Sequence, residues 1–329
     1  MKYAKLFSIV VAAGMGLYGL VGFYFLPLAS FEGDLTRMAK LPESYFGWTK
    51  EQPRINPALM KSAGWPEADV LAIGDSFTMA QVWQTVLEQR GVHVRTETWE
   101  SIFNFCEDFP DWLYRTGYKG KFIIIESVDK YLDERLSRSV KCAHMRYHPL
   151  AELPVEPPPT ALDRNRRNFN GRLSVGIETE LNTLKYERIS SDPAFRAWNE
   201  LGEVRMERMV NGCELFSHPR CQDVLFYDKD RIEDPGENVL RNMAEINARL
   251  KKFHVIWAII PDKSIVYLHP DKQFWDTAER RFHAPNLLRI LREEIKKKTV
   301  DLYLPNNTHF STTGYLILGN TLYQSIYQQ

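Results

Sequence analysis

The chain has 329 residues, of which 44% are apolar and 12% aromatic, with 42 basic and 42 acidic side chains. This length allows about two domains, or one large α/β domain with an insertion. The balanced charge excludes the strong basic field that nucleic-acid backbones attract, so no nucleic-acid partner is expected. The apolar and aromatic content also excludes disorder over most of the chain, because it is enough to bury a substantial core.

The N-terminal region, residues 1–30, predicts a short cytoplasmic stub and a membrane anchor. Residues 6–30 contain no charged side chain, and this run is longer than the ~20 residues that a helix needs to cross a bilayer. Lys2 and Lys5 precede the run, whereas Glu32 and Asp34 follow it, which favours a cytoplasmic N-terminus. A cleaved signal peptide is the alternative, although its apolar core is usually about 7–15 residues long. Both interpretations export the rest of the chain, and we expect a single-pass protein of the inner (cytoplasmic) membrane with its main domain in the periplasm or outside.

All four cysteines follow this segment, at Cys106, Cys142, Cys213 and Cys221. An even number of cysteines in an exported chain is compatible with disulfides. Three pairings are open, of which proximity favours Cys213 with Cys221 and leaves Cys106 with Cys142. The spacing does not form two CxxC pairs, so no zinc site is predicted, and no cofactor is expected.

Residues 31–66 predict a tether, because they are polar and interrupted by four prolines. Regular structure is predicted from residue 67 onward. The patterns indicate strands over 69–73, 92–98 and 122–126, and helices over 79–90 and 110–118.

An irregular insertion is predicted at about 137–235. It contains a proline-rich loop over 148–170, a basic stretch over 164–172 that is interpreted as a solvated surface, and a hairpin or loop over 213–227. Strands over 253–260 and 300–304 and helices over 238–251, 278–298 and 312–327 complete the chain. The alternation predicts one α/β domain over 67–329, with a mainly parallel sheet between two layers of helices.

Two predicted strand ends carry residues suited to acyl chemistry. The first has the sequence Gly74-Asp75-Ser76-Phe77, in which Gly74 permits a tight turn and Ser76 opens a helix with backbone N–H groups close to its hydroxyl. The alternative is plain helix capping, for which Asp75 and Ser76 are both suitable.

The second strand end is Asn307-Thr308-His309, just before the last helix. His309 could accept the proton of Ser76 while Asn307 orients its ring. The alternative is a histidine that is merely packed or solvated near a helix start. Gly74, Asp75 and Glu126 are candidates for the oxyanion site or the cleft, and Glu126, at the end of its predicted strand, could instead hold a turn.

With these motifs, the sequence resembles the SGNH (GDSL-like) hydrolase superfamily, which has a GDS nucleophile motif after its first strand and a late histidine motif. It is most similar to the branch of periplasmic alginate O-acetyltransferases and related polysaccharide acetylation proteins. Further segments that resemble this branch are 123–132, 215–217, 225–230 and 259–267. The resemblance covers roughly residues 70–329.

Two departures from this family pattern are visible. In the alginate proteins the histidine motif usually precedes the serine motif, whereas here Ser76 comes first, as in ordinary SGNH hydrolases. The usual aspartate of the histidine motif is Asn307, which can orient an imidazole but supplies no charge to the imidazolium.

The resemblance implies an SGNH-like three-layer domain that acts as an O-acetyltransferase or acetylesterase on a cell-surface or exported polysaccharide. It implies a Ser76 acyl-enzyme, an oxyanion site that includes Asn104 without a matching glycine, and an acyl donor delivered by a membrane-embedded acyltransferase. The alternative is a catalytically degenerate polysaccharide-binding or scaffold protein of an export or acetylation complex. Aromatic residues that could stack on sugars in such a protein are Trp83, Trp99, Trp112 and Trp275, although core packing is the expected use of most of them.

Overall fold

The computed structural model describes residues 2–149, 155–163, 168–230, 233–282 and 284–327. The chain divides into two compact units. The first unit comprises Met1–Lys50, Ala161–Asp228 and Leu304–Thr308. The second comprises Glu51–Thr160, Lys229–Tyr303 and His309–Gln329. This division differs from the predicted boundaries, because the N-terminal 50 residues group with the middle of the chain.

The described strands are, in chain order, β1 (Val70–Gly74), β2 (Val94–Thr98), β3 (Phe122–Val128), β4 (Ala197–Leu201), β5 (Val204–Arg208), β6 (Asp223–Tyr227) and β7 (His254–Ile260). The described α-helices are α1 (Lys2–Phe25), α2 (Asp34–Ala39), α3 (Glu43–Phe46), α4 (Ser76–Met79), α5 (Gln84–Glu88), α6 (Trp99–Ile102), α7 (Phe109–Arg115), α8 (Asp129–Val140), α9 (Leu173–Ser190), α10 (Gly212–Leu215), α11 (Gly236–Arg249), α12 (Lys263–Leu268), α13 (Phe274–Phe282), α14 (Leu287–Lys296) and α15 (Thr312–Tyr327). Short 3₁₀ turns occupy Leu26–Ala29 and Pro57–Leu59.

The second unit is built on a four-stranded parallel sheet in the order β2-β1-β3-β7. Consecutive residues of β1 and β3 are buried, including Leu71, Ala72, Ile123 and Ile124. Because neighbouring strand residues point to opposite faces, both faces of the sheet are covered. The α/β class and the parallel sheet predicted from the sequence are therefore confirmed.

The strand order also locates the part of the sheet best suited to bind a ligand. The chain passes from β1 to its neighbour β2, and then returns to place β3 on the other side of β1. In parallel α/β sheets, such a reversal opens a crevice at the carboxyl ends of the two strands. The residues that follow β1 and β3 therefore occupy the favoured position for a site.

The first unit has its own core and a small antiparallel sheet in the order β4-β5-β6. Its core includes Leu35, Leu41 and Phe46 from the N-terminal region and Tyr186 and Trp198 from the middle of the chain. Part of the predicted tether is thus folded into α2 and α3, since its apolar residues are buried. The predicted hairpin or loop over 213–227 includes β6, which pairs with β5.

The N-terminal helix is long and apolar enough to cross a membrane. The apolar helical segment Tyr3–Ala29 covers 27 residues with a mean hydropathy of 2.0, and only 6% of its most apolar stretch is buried within the protein. A side-chain surface of this kind is stable in hydrocarbon but unfavourable in water. The segment is therefore suited to serve as a single-pass membrane anchor.

Two disulfides link Cys106 to Cys142 and Cys213 to Cys221. This is the pairing that proximity in the sequence favoured. Disulfides persist in oxidising compartments and are rare in reducing ones. The pairs therefore fit an oxidising location for both units.

Three predicted elements differ in the structure. The predicted strand over 300–304 contains only an isolated bridge from Tyr303 to Phe310, because Asp301 has a φ of 58°, which interrupts an extended strand. The predicted helix over 278–298 is divided into α13 and α14 near Pro285, which cannot donate a helical hydrogen bond. The predicted helix over 79–90 is observed only as α5, because α4 already ends at Met79 and Gln81, at a φ of 52°, interrupts the helix between them. Of the basic stretch over 164–172, residues 164–167 lie outside the described residues.

Candidate active site

Ser76 is exposed at the carboxyl end of the buried strand β1. Gly74 ends this strand, and a Cβ atom at that position would collide with Thr78 Oγ1 and Glu126 Oε2. The Asp75 side chain caps α4 by accepting a hydrogen bond from the Phe77 N–H at 3.2 Å. The tight turn and the cap predicted from the sequence therefore both exist, and together they present the Ser76 side chain at the surface.

A buried ion pair holds this turn against β3. Asp75 Oδ2 accepts hydrogen bonds from Arg135 at 2.8 Å and from the Val128 N–H at 3.0 Å. Arg135 also donates to Ser127 Oγ at 2.7 Å. The carboxylate of Asp75 is thus occupied by main-chain and guanidinium donors, and its role is to position the residue that follows it.

Glu126 lies inside the unit and does not line a cleft, since its exposure is 0%. Its Oε2 accepts hydrogen bonds from the Asp75 N–H at 2.9 Å and from the Thr78 hydroxyl at 2.8 Å. Burial raises the pKa of Glu126 well above its usual value, and the nearby Asp75 charge raises it further. Of the two roles predicted for Glu126, the geometry matches the one in which it holds a turn.

This buried acid predicts a pH-dependent stability. The unfolded chain ionises Glu126 near pH 4.5, whereas the raised pKa keeps it protonated in the folded protein to higher pH. The unfolded state then binds fewer protons, so the free energy of unfolding falls as pH rises from 4.5 towards the raised pKa. We expect Glu126→Gln to reduce this fall, because glutamine is neutral at every pH and retains a hydrogen-bond acceptor.

Chemical unfolding at a series of pH values measures this effect. Glu134→Gln is the control, because the Glu134 side chain is 67% exposed on α8 and should leave the pH profile of the wild type unchanged. An unchanged profile in Glu126→Gln as well would show that Glu126 is not the group responsible.

His309 reaches Ser76 from the loop before α15. The Tyr303–Phe310 bridge and a hydrogen bond from the Ser311 N–H to Leu302 O at 2.9 Å fix the main chain around it. Its ring packs on Phe77 with a centroid distance of 4.9 Å. His309 Nε2 lies 2.7 Å from Ser76 Oγ. The structure therefore brings together two residues that are 233 positions apart.

This distance allows direct proton transfer between the two side chains. With the imidazole proton on Nδ1, Nε2 accepts the Ser76 O–H as a hydrogen bond and can take its proton as the oxygen attacks. A serine within hydrogen-bond reach of a base is the geometry of an activated nucleophile. The pair can thus support acyl transfer.

The carboxylate of Asp34 holds the segment just before His309. Asp34 accepts hydrogen bonds from both the Thr308 N–H, at 2.8 Å, and the Thr308 hydroxyl. Asn307 is half-buried, and its N–H donates to Leu304 O at 3.2 Å in a turn. Because Asp34 and Thr308 are 274 positions apart, no local sequence pattern predicts this contact.

The predicted oxyanion residue Asn104 lies in the loop that follows β2 and α6. Its Oδ1 is buried and has no hydrogen-bond partner among the described residues. The preceding residue, Phe103, has a φ of 60° and keeps 47% of its surface exposed. A bulky residue rarely adopts this backbone conformation, and such strain is concentrated at functional sites.

Three of the four tryptophans considered for sugar stacking are core residues. Trp83, Trp99 and Trp275 are at most 4% exposed, so their burial excludes stacking on a ligand at the surface. Trp112 is half-buried against Trp65.

The exposed rings near the carboxyl ends of β2 and β3 are instead Phe103 and Tyr131, at 47% and 45%. Tyr131 also lies next to Arg135, whose guanidinium carbon is 5.3 Å from the centroid of its ring. Arg135 in turn binds Asp75, the residue before Ser76. Sequence alone could not separate these two exposed rings from the many buried ones.

Comparison of the chain with models of protein families, with curated proteins and with solved structures finds no match. The function must therefore be inferred from the Ser76–His309 geometry and the residues around it.

Proposed function

We propose that the chain is a membrane-anchored SGNH-like enzyme, an O-acetyltransferase or acetylesterase that acts on a cell-surface or exported polysaccharide. The observation that carries this proposal is the 2.7 Å distance between Ser76 Oγ and His309 Nε2, at the carboxyl end of a parallel strand. The resemblance of the GDS and histidine motifs to SGNH hydrolases supports the same reaction class.

In the proposed reaction, Ser76 Oγ attacks the carbonyl carbon of an acetyl ester while His309 Nε2 takes the hydroxyl proton. The tetrahedral intermediate collapses, the ester C–O bond breaks, and His309 returns the proton to the leaving oxygen. A second hydroxyl then attacks the acetyl-serine and loses its proton to His309. The bond between the acetyl carbon and Ser76 Oγ breaks, and His309 returns the proton to Ser76 Oγ, which regenerates the free enzyme. A sugar hydroxyl makes the enzyme a transferase, and water makes it an esterase.

The negative charge on the intermediate needs hydrogen-bond donors. The Ser76 N–H and the side chain of Asn104 are the proposed donors, since both follow carboxyl ends of neighbouring strands. Asn307 is proposed to orient the His309 ring. Because an amide has no charge, it stabilises the imidazolium less than an aspartate would.

The proposed location is the inner membrane, with both folded units in the periplasm. Lys2 and Lys5 before the apolar helix favour a cytoplasmic N-terminus, and the two disulfides fit an oxidising compartment. A periplasmic transferase needs its acyl group supplied across the membrane, so the proposed donor is a membrane-embedded acyltransferase. The proposed acceptor is a polysaccharide, and the exposed rings of Phe103 and Tyr131 are available to stack on sugars.

The alternative of a degenerate binding protein is less well supported. A protein that only binds polysaccharide does not need an exposed serine within hydrogen-bond reach of a histidine. The Ser76–His309 contact therefore favours catalysis.

Hydrolysis of p-nitrophenyl acetate by the purified full chain tests this proposal. Ser76→Ala is expected to abolish the activity, whereas Ser191→Ala, which changes an exposed serine of the first unit, should retain it. Equal activity in the two variants would contradict the proposal. Addition of an oligosaccharide acceptor then distinguishes transfer from hydrolysis. A transferase places the acetyl group on the sugar, whereas an esterase releases it as acetate and leaves the sugar unmodified.

A further inference from the structure

The helix α9 carries an exposed apolar seam, defined as Ile177, Leu181 and Leu184. These side chains are 37%, 61% and 54% exposed. Their spacing of four and three residues places them on one side of the helix. The opposite side, with Thr179 and Tyr186, is buried in the core of the first unit.

The same helix contacts the end of the membrane-spanning segment. Gly176 lies so close to the Phe25 carbonyl that a Cβ atom would collide with it. Tyr24 donates a hydrogen bond to Glu180 Oε1 at 3.1 Å. Just before α9, Phe169 stacks on Phe23 with a centroid distance of 5.7 Å. The first half of α9 is therefore fixed at the depth where the apolar helix ends.

Distances along α9 place the seam close to its contact with the end of α1. With a rise of ~1.5 Å per residue, Ile177 lies about 1.5 Å and Leu184 about 12 Å along the axis from Gly176. An amphipathic helix at a bilayer surface buries its apolar side about 5–10 Å into the headgroup boundary. The whole seam therefore lies within about 12 Å, along α9, of the contact with α1, and an α9 that lies along the bilayer surface would place it against the lipid.

Three charged side chains near the seam have partners within the first unit. Glu178 pairs with Lys40 at 3.9 Å, and Lys185 pairs with Glu200 at 2.5 Å. Glu187 accepts the Tyr45 hydroxyl at 2.5 Å. Because these three groups have partners in the protein, the seam can enter a lipid surface without leaving them unpaired.

We propose that α9 is a second membrane contact, an interfacial helix whose seam of Ile177, Leu181 and Leu184 is immersed in the lipid surface beside α1. This inference rests on the membrane anchoring that is part of the proposed function. The occupant is lipid because the seam lies on a helix that contacts the end of the membrane-spanning segment. Two contacts, α1 and α9, then fix the orientation of the first unit on the bilayer.

Nitroxide labels on the full chain test this contact in vesicles of equal amounts of phosphatidylethanolamine and phosphatidylglycerol. The labelled variants are Leu181→Cys and Leu184→Cys in the seam, Leu17→Cys in α1, and Val210→Cys as a control that is 97% exposed in the same unit. Relaxation by oxygen, which partitions into lipid, is compared with relaxation by a water-soluble nickel chelate.

We expect the labels at 17, 181 and 184 to be relaxed mainly by oxygen and the label at 210 mainly by nickel. Oxygen relaxation at 17 with nickel relaxation at 181 and 184 would overturn the interfacial helix alone. Seam labels shielded from both reagents would also overturn it, since another protein or a second copy would then cover the seam. Nickel relaxation at 17 would overturn membrane anchoring itself, whereas the Ser76 chemistry is tested separately by hydrolysis.

Discussion

Ser76→Ala and His309→Gln are each expected to lower the rate of p-nitrophenyl acetate hydrolysis severely, and the double variant is expected to lose no more than Ser76→Ala alone. Removal of a general base costs about 10²–10⁴-fold in rate, and removal of the nucleophile costs at least as much. Residues that act as a unit give losses that do not add. The 2.7 Å contact between Ser76 Oγ and His309 Nε2 is the physical reason to treat them as one unit.

Hydrolysis of p-nitrophenyl acetate by the purified variants, corrected for the rate without enzyme, measures these losses. His144→Gln is a matched control, because the side chain of His144 is 87% exposed and lies next to Asp108. It should hydrolyse the ester at the rate of the wild type. Losses that add in the Ser76→Ala/His309→Gln double variant would mean that the two side chains do not share one step.

Arg135→Ala is expected to lower the free energy of unfolding by about 3–5 kcal/mol. The guanidinium of Arg135 is 2.8 Å from Asp75 Oδ2, and both side chains are only 10% exposed. Its removal would leave a buried carboxylate without its charged partner and would remove the hydrogen bond that Ser127 Oγ accepts. The loss arises from the uncompensated charge rather than from the contact alone.

Chemical unfolding of the wild type and two arginine variants tests this expectation. Arg138→Ala is the control, because Arg138 lies on the same helix and pairs with Glu134 at 3.3 Å with both side chains more than half exposed. An exposed pair contributes about 0–1 kcal/mol. Equal destabilisation by the two substitutions would contradict the structural role given to Arg135.

The sequence predicted the parallel sheet well because its strands are covered on both faces. Such strands are continuous apolar runs, as in 123–125 and 256–260, and these runs are visible without knowledge of the fold. The predicted bounds of α15 are the observed ones, Thr312–Tyr327. The predicted strand over 300–304 failed because apolar composition does not reveal the backbone conformation of Asp301.

The core of the first unit was harder to predict from the sequence. It joins Leu35 and Phe46 to Tyr186 and Trp198 across more than a hundred positions. Prolines and polar residues between 31 and 66 resemble those of a linker. The apolar residues among them are informative only when their distant partners are known.

The residues of the candidate site also differ in whether the sequence could predict them. Ser76 and His309 were predicted because each follows a segment with a strand pattern and has a side chain suited to acyl chemistry. Arg135 and Asp34 were missed, because both act through contacts that are distant in sequence. The burial that gives Glu126 a positioning role also depends on the folded structure.

The most direct test of the central claim is the location of the acyl group. The full chain would be acetylated with an activated ester, quenched in acid, digested and analysed by peptide mass spectrometry. We predict one added acetyl group on the peptide that contains Ser76, with fragment ions that place it on that serine, and no such adduct in Ser76→Ala. An acetyl group on a different residue, or the same adduct in Ser76→Ala, would contradict the proposal that Ser76 is the nucleophile.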